Sequence, residues 1–204
     1  MVITSAVKQK NNPEMIRIYI NDVYAFSMPA EEYYRMNLYE RTELNQEDIN
    51  FINDEINAKL AKQVSIRMLA LKDRSENEIK KKLTQQGFDN EIIDKTILQL
   101  KSMGYINDML YTRKYISDRL KLKPKSKRAL FFELKRKGIS DGIIEEALDE
   151  TQLDEPLLAY RLAKKKYGKY DVFELAIQRK IISFLGHRGF SYEVIREAIK
   201  QMME

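Results

Sequence analysis

Lys121, Lys123, Lys125, Lys127 and Arg128 place five cations within eight residues, with only Leu, Pro and Ser between them. Such a segment can contact phosphates or the acidic face of a protein, and a loop kept soluble by charge has the same composition. Lys135, Arg136 and Lys137 form a second run, and Lys164, Lys165 and Lys166 a third. Each of these two runs falls at the end of an expected helix, where the helix dipole alone favours cations. Their recurrence favours a basic, partner-facing or nucleic-acid-facing surface. Other chemistries find few residues to carry them. His187 is the only histidine and there is no cysteine, which argues strongly against a zinc centre. Gly186-His187-Arg188-Gly189 matches the GXXG of nucleotide-clamping loops, but Gly189 is already accounted for as a helix terminator. Neither GxxxxGK[ST] nor GxGxxG is present, and acidic pairs such as Glu145-Glu146 have ordinary amphipathic spacing. No catalytic, cofactor-binding or metal-ligating residue is assigned, and an enzyme is the poorest reading.

The elements that must position these cations follow from a repeat. Gly87, Gly138 and Gly189 lie 51 residues apart, within IKKKLTQQGFDNEII, LFFELKRKGISDGII and IISFLGHRGFSYEVI. At that offset Ile79, Leu130 and Ile181 coincide, as do Leu83, Leu134 and Leu185, and Phe88, Ile139 and Phe190. Apolar residues four apart before each glycine indicate a helix, and the glycine suits the left-handed position that ends it. Each repeat therefore predicts helix, turn, helix, preceded by another helix. Three three-helix modules in an elongated stack call for a binding function before an enzymatic one. A DNA-reading helix-turn-helix is disfavoured, because the second helices begin FDNEII, ISDGII and FSYEVI, without base-reading Arg, Asn or Gln.

Residues 1–45 read differently. Val2 to Val7, Met15 to Ile20 and Val23 to Met28 suggest a small antiparallel β-meander. Asn11-Asn12-Pro13 and Asn21-Asp22 supply its turns, and a short helix follows Pro29. The expected segments are this β-rich extension, a first helical module with a lead-in helix over 46–104, and further modules over 105–153 and 154–204. Helix starts are expected at Ser75 with Glu78, at Asp89, at Asn107 or Asp108, at Ser126 and at Ser140. Others are expected at Asp154, at Asp171 with Glu174, and at Ser191. Between Gln46 and Leu71 one long helix or two fit equally.

The net charge of +5 is uneven: residues 1–60 carry 6 basic and 10 acidic side chains, residues 61–204 carry 30 and 21. A positive repeat region suits an anionic partner. No apolar run approaches the ~20 residues of a membrane span, and no signal-peptide core is evident at the N-terminus. A cytoplasmic monomer without a cofactor is expected.

From Gly104 to Leu120 the chain reads GYINDMLYTRKYISDRL, followed by a basic loop and FFELKRKGI. With Tyr105, Ile106, Asn107, Asp108, Tyr111, Tyr115, Arg119, Pro124, Leu134, Lys135, Lys137 and Ile139 at the matching positions, residues 61–204 resemble the RecX family of recombinase regulators. The N-terminal extension resembles that of longer members. Two departures stand out: the connector KLKPKSKR lacks the family's common glycine, and Gly142 falls inside an expected helix. The resemblance implies a non-enzymatic protein that binds the RecA–single-stranded-DNA filament and inhibits filament growth, ATP hydrolysis and strand exchange. A sequence-nonspecific binder of single- or double-stranded DNA is the alternative, and a helical scaffold with an unrelated partner is the third.

Overall fold

The computed structural model describes residues 1–10 and 12–204, so Asn11 of the first expected turn lies outside the described residues. The chain forms two compact units, Met1–Asn107 and Asp108–Glu204.

In the first unit, β1 (Ile3–Lys8), β2 (Met15–Ile20) and β3 (Val23–Pro29) form an antiparallel sheet in the order β1-β2-β3. The alternation in β2 fixes its register: Ile16, Ile18 and Ile20 are buried, Ile16 opposes Met28 and Ile18 opposes Phe26. The β2–β3 turn is made by Asn21 and Asp22 at φ 49° and 64°, a left-handed pair that Asn and Asp tolerate best among residues with a Cβ. The buried face of the sheet packs on α1 (Ala30–Arg35) and on the helical run that starts at α2 (Gln46–Phe51). That run is continuous. It passes through a π-helical turn, Ile52–Asn57, into α3 (Ala58–Leu71). Upstream of Leu60, Ile52 and Ile56 face the sheet, while Ala61 and Val64 face the first helical module. The wide turn fits such a change of face, because its i→i+5 bonding takes in an extra residue and turns the residues that follow around the helix axis.

The first module adds α4 (Glu76–Gln85) and α5 (Asn90–Ser102) to α3. The second unit holds α6 (Asp108–Leu122), α7 (Lys127–Arg136) and α8 (Asp141–Glu150), then α9 (Glu155–Tyr167), α10 (Leu175–Gly186) and α11 (Tyr192–Met203). Burial obeys the repeat: Ile79, Leu130 and Ile181 are all 0% exposed, and so are Leu83, Leu134 and Leu185. Gly87, Gly138 and Gly189 have φ of 88°, 81° and 83°, where a Cβ is penalised.

One helix start departs from expectation, and two expected caps hold their positions without a capping bond. α10 begins at Leu175 with Glu174 as N-cap, because the Asp171 carboxylate accepts instead from Phe173 N–H (2.9 Å) in a local turn. Ser140 occupies the N-cap of α8 without a side-chain capping bond. Asp89 occupies the N-cap of α5, but its carboxylate turns to the sheet, accepting from Tyr24 O–H and from Ser27 N–H (2.9 Å). Gln9 completes this seam: its amide donates to Ser27 Oγ (2.9 Å) and to the Gly87 carbonyl (3.0 Å), while Asn12 donates to the Gln86 carbonyl (2.6 Å). Tertiary contact has overridden local capping. Asp89→Ala would orphan the buried Ser27 N–H, and about 2 kcal/mol of stability should be lost in urea melts. A loss below about 0.5 kcal/mol, the scale of an ordinary surface change, would show that the seam does not hold the sheet.

Candidate functional site

The basic connector runs from the last turn of α6 to the first turn of α7, and its cations divide into two sets. Lys125 reaches back to Glu133, whose side chain is only 10% exposed. The same carboxylate accepts from Tyr115 O–H (2.7 Å) and pairs with Arg119 Nε (3.1 Å), which also donates to Tyr115 Oη (3.0 Å). Tyr111 stacks on Tyr115 with centroids 6.3 Å apart, and Lys137 Nζ lies 5.7 and 5.4 Å from the two rings. Partial burial alone would raise the Glu133 pKa; hydrogen bonds from Lys125 and Tyr115 and the charge of Arg119 overcome it and hold the carboxyl below its ordinary range. Tyr115 is pushed up, first by burial and then by its bond to the anionic Glu133. This cluster fixes the entry of the connector and spends the charge of Lys125.

The connector is also tied to the third module. Ser126 N–H donates to the Arg188 carbonyl (3.0 Å), and Lys127 N–H donates to the Glu155 carboxylate. Ser126 itself caps α7 through Ala129 N–H (3.1 Å). Gly189 lies against this corner: a Cβ there would sit 2.7 Å from both Ala129 Cβ and Ser126 Oγ. Gly87 plays the corresponding part in the first unit, where a Cβ would sit 2.3 Å from Gln9 Oε1. Lys121, Lys123 and Arg128 are exposed and, among the described residues, form no ion pair.

Of the other basic runs, Lys135 pairs with Asp141 (2.8 Å) and Arg136 is exposed. Lys164, Lys165 and Lys166 end α9 at its negative pole. Lys164 donates to Tyr160 Oη (2.6 Å) and lies over that ring. Lys166 lies over Phe184 of α10, its Nζ 4.3 Å from the centroid, and so joins Arg179, Lys180 and Arg188 along one groove. Sequence reasoning missed those three cations, Arg179 and Lys180 on α10 and Arg188 in the turn that follows it. The signal was available: 179, 180, 183, 184, 187 and 188 follow a helical stripe offset from the core stripe of Ile177, Ile181 and Leu185. Among the described residues no group of three or more His, Cys, Asp and Glu could hold a metal ion, and no helix is long and apolar enough to cross a membrane.

Comparison with known proteins places this arrangement. Residues 1–45 match the model of the regulatory protein RecX N-terminal domain. Residues 61–100, 107–148 and 157–199 match those of the first, second and third RecX three-helix domains. The chain is 31% identical over 205 residues to a regulatory protein RecX of Clostridioides difficile, covering 99% of this chain and 96% of that one. It is 32% identical over 201 residues to its counterpart in Clostridium beijerinckii, covering 96% and 92%. A crystal structure of regulatory protein RecX superposes with a TM-score of 0.64 at 25% identity, covering 98% of both chains. RecX from Lactobacillus salivarius also gives 0.64, at 26% identity over 72% of this chain and 96% of that one.

Proposed function

We propose that this chain, which belongs to the RecX family of regulatory proteins, binds the RecA–single-stranded-DNA filament and inhibits its ATP hydrolysis and strand exchange, thereby regulating recombination and DNA repair. The observation that carries this reading is the thrice-repeated module with a basic connector held in fixed geometry between α6 and α7. A filament presents the same subunit surface again and again, and repeated modules gain from that repetition through effective concentration. The chain itself turns over no nucleotide. Its role is to occupy filament surface that subunit addition and strand exchange require.

The test is recombinase ATPase on single-stranded DNA, titrated with the purified protein. The rate should fall with added protein, and the protein alone should hydrolyse nothing. The connector supplies the sharper measurement. Because Lys125 is engaged by Glu133, its reversal would confuse folding with binding, so the informative change is Lys121→Glu with Lys123→Glu. It should raise the half-inhibitory concentration about tenfold, the scale of two lost charge contacts of ~0.7 kcal/mol each. The same reversal at Lys81 and Lys82 should matter less. Equal losses would show that only total charge counts, and an unchanged ATPase with wild-type protein would refute the reading itself.

A further inference from the structure

We propose that the third module carries a sequence-independent binding groove for the phosphodiester backbone of nucleic acid, formed by Lys166, Arg179, Lys180 and Arg188 around Phe184. The groove has a volume of about 440 Å3 between the end of α9 and α10 with the turn that follows it, and His187 also lines it. No carboxylate of the described residues lines it. Among the described residues these four cations enter no ion pair.

The cations are placed rather than scattered. Lys166 Nζ lies 4.3 Å and Arg188 Cζ 3.9 Å from the Phe184 centroid, and Arg188 Nη1 donates to the Phe184 carbonyl (3.3 Å). Tyr167 meets the same ring edge-on at 5.7 Å, which fixes the ring in turn. Attraction to an aromatic face orients a cation without cancelling its charge.

The repeat makes the difference plain. At the 51-residue offset, Phe184 corresponds to Glu133 and Lys166 to Tyr115. In the second module the acid at this position gathers Lys125 and Arg119 and neutralises them. In the third, the acid and the aromatic are replaced by an aromatic and a cation, so the equivalent corner presents positive charge to solvent.

Donor chemistry selects the ligand. Lys and Arg side chains donate and never accept, and phosphodiester oxygens accept and never donate. An acidic peptide also brings backbone N–H groups, for which these four side chains offer no acceptor. Phe184 is already occupied by two cations and cannot serve as a stacking platform for a base. The groove therefore reads backbone charge and not sequence. It needs no recombinase, and so it stands or falls apart from the filament reading.

The decisive measurement is anisotropy of a fluorescein-labelled oligothymidylate and of a labelled duplex, titrated with the full chain across a salt series and without recombinase. Arg179→Glu with Lys180→Glu, whose exposed side chains make no hydrogen bond or ion pair among the described residues, should weaken binding about tenfold near 0.1 M salt. On the single strand it should also flatten the slope of log K against log salt by about 1.4, the share of two lost phosphate contacts. Lys81→Glu with Lys82→Glu makes the same change in net charge and should cost less than about twofold, because separated surface charges are screened. Phe184→Glu imports the acid of the second module and should reduce binding comparably while helical circular dichroism is retained. If that variant unfolds, the Arg179/Lys180 pair still decides. Equal losses for the two charge-reversal pairs, an unchanged salt slope, or displacement of the oligonucleotide by poly-glutamate at matched charge would each overturn the proposal.

Discussion

Gly189→Ala is expected to destabilise the chain by about 3 kcal/mol, whereas Gly104→Ala should cost only about 1 kcal/mol. Both residues are left-handed, with φ of 83° and 74°, so both substitutions incur the same conformational penalty of roughly 1 kcal/mol. They differ in what the new methyl group meets. At Gly104 nothing lies within 4 Å, while at Gly189 the methyl would sit 2.7 Å from Ala129 Cβ and 3.4 Å from Ala129 Cα. Ala129 belongs to α7 and cannot rotate away, so the corner between the second and third modules must open. Overpacking of this kind costs a further ~2 kcal/mol. Gly87→Ala should fall between the two, because the atom in the way is the end of the Gln9 side chain. Swinging Gln9 aside loses its bonds to Ser27 and Gly87, so Gly87→Ala combined with Gln9→Ala should cost less than the sum of the single changes. Urea melts followed by circular dichroism give the whole ranking. Equal losses at Gly104 and Gly189 would mean that backbone conformation alone accounts for the repeat glycines.

These glycines also mark what the sequence could and could not disclose. A Gly after an apolar helical run reports a local need, the left-handed residue that ends the helix, and local needs are legible without a structure. The same holds for the alternation of Ile16, Ile18 and Ile20 and for the fully buried triplets that begin at Ile79 and Leu83. The second use of Gly87 and Gly189, as flat ground for a neighbouring element, depends on what the fold brings against them. Asp89 makes the point from the other side. Its position says helix cap, yet it serves β3, because Tyr24 and Ser27 offer it bonds that only the assembled sheet provides. The π turn at Ile52–Asn57 was equally hidden, since it leaves no composition signal, and so the choice between one helix and two stayed open in the sequence. Among the cations, a count over eight residues could not separate Lys125, drawn in by a Glu eight positions on, from the exposed Lys121 and Lys123. Nor did it reach Arg179 and Lys180. These make no run in the sequence and meet Lys166 only when α9 and α10 pack.

Glu133→Gln should cost about 2 kcal/mol near neutral pH and progressively less as the solution is acidified. The carboxylate is largely shielded and holds Lys125, Arg119 and Tyr115 at once, so neutralising it leaves two half-buried cations without their counter-ion. Its partners are 29% and 35% exposed, which keeps the loss below that of a fully buried pair. The pH dependence follows from the sign of the shift. A carboxyl held below its ordinary range in the folded chain contributes its full stabilisation above its unfolded pKa of about 4.3. That contribution is lost as pH falls through the folded value, so the wild type should approach the variant in acid. Tyr115 acts on the alkaline side: with its pKa raised, its contribution is intact below about 10 and is lost as pH rises through the folded value. Melting temperature against pH for the two proteins measures both limbs, and parallel curves from pH 7 to pH 3 would show that Glu133 is not the titrating partner. Binding should move the opposite way. Lys125 freed from Glu133 adds a positive charge to the connector, so a folded Glu133→Gln protein should hold an anionic partner at least as tightly as the wild type while being less stable. A variant that lost stability and binding together would show that the connector works through its fixed shape and not through its charge.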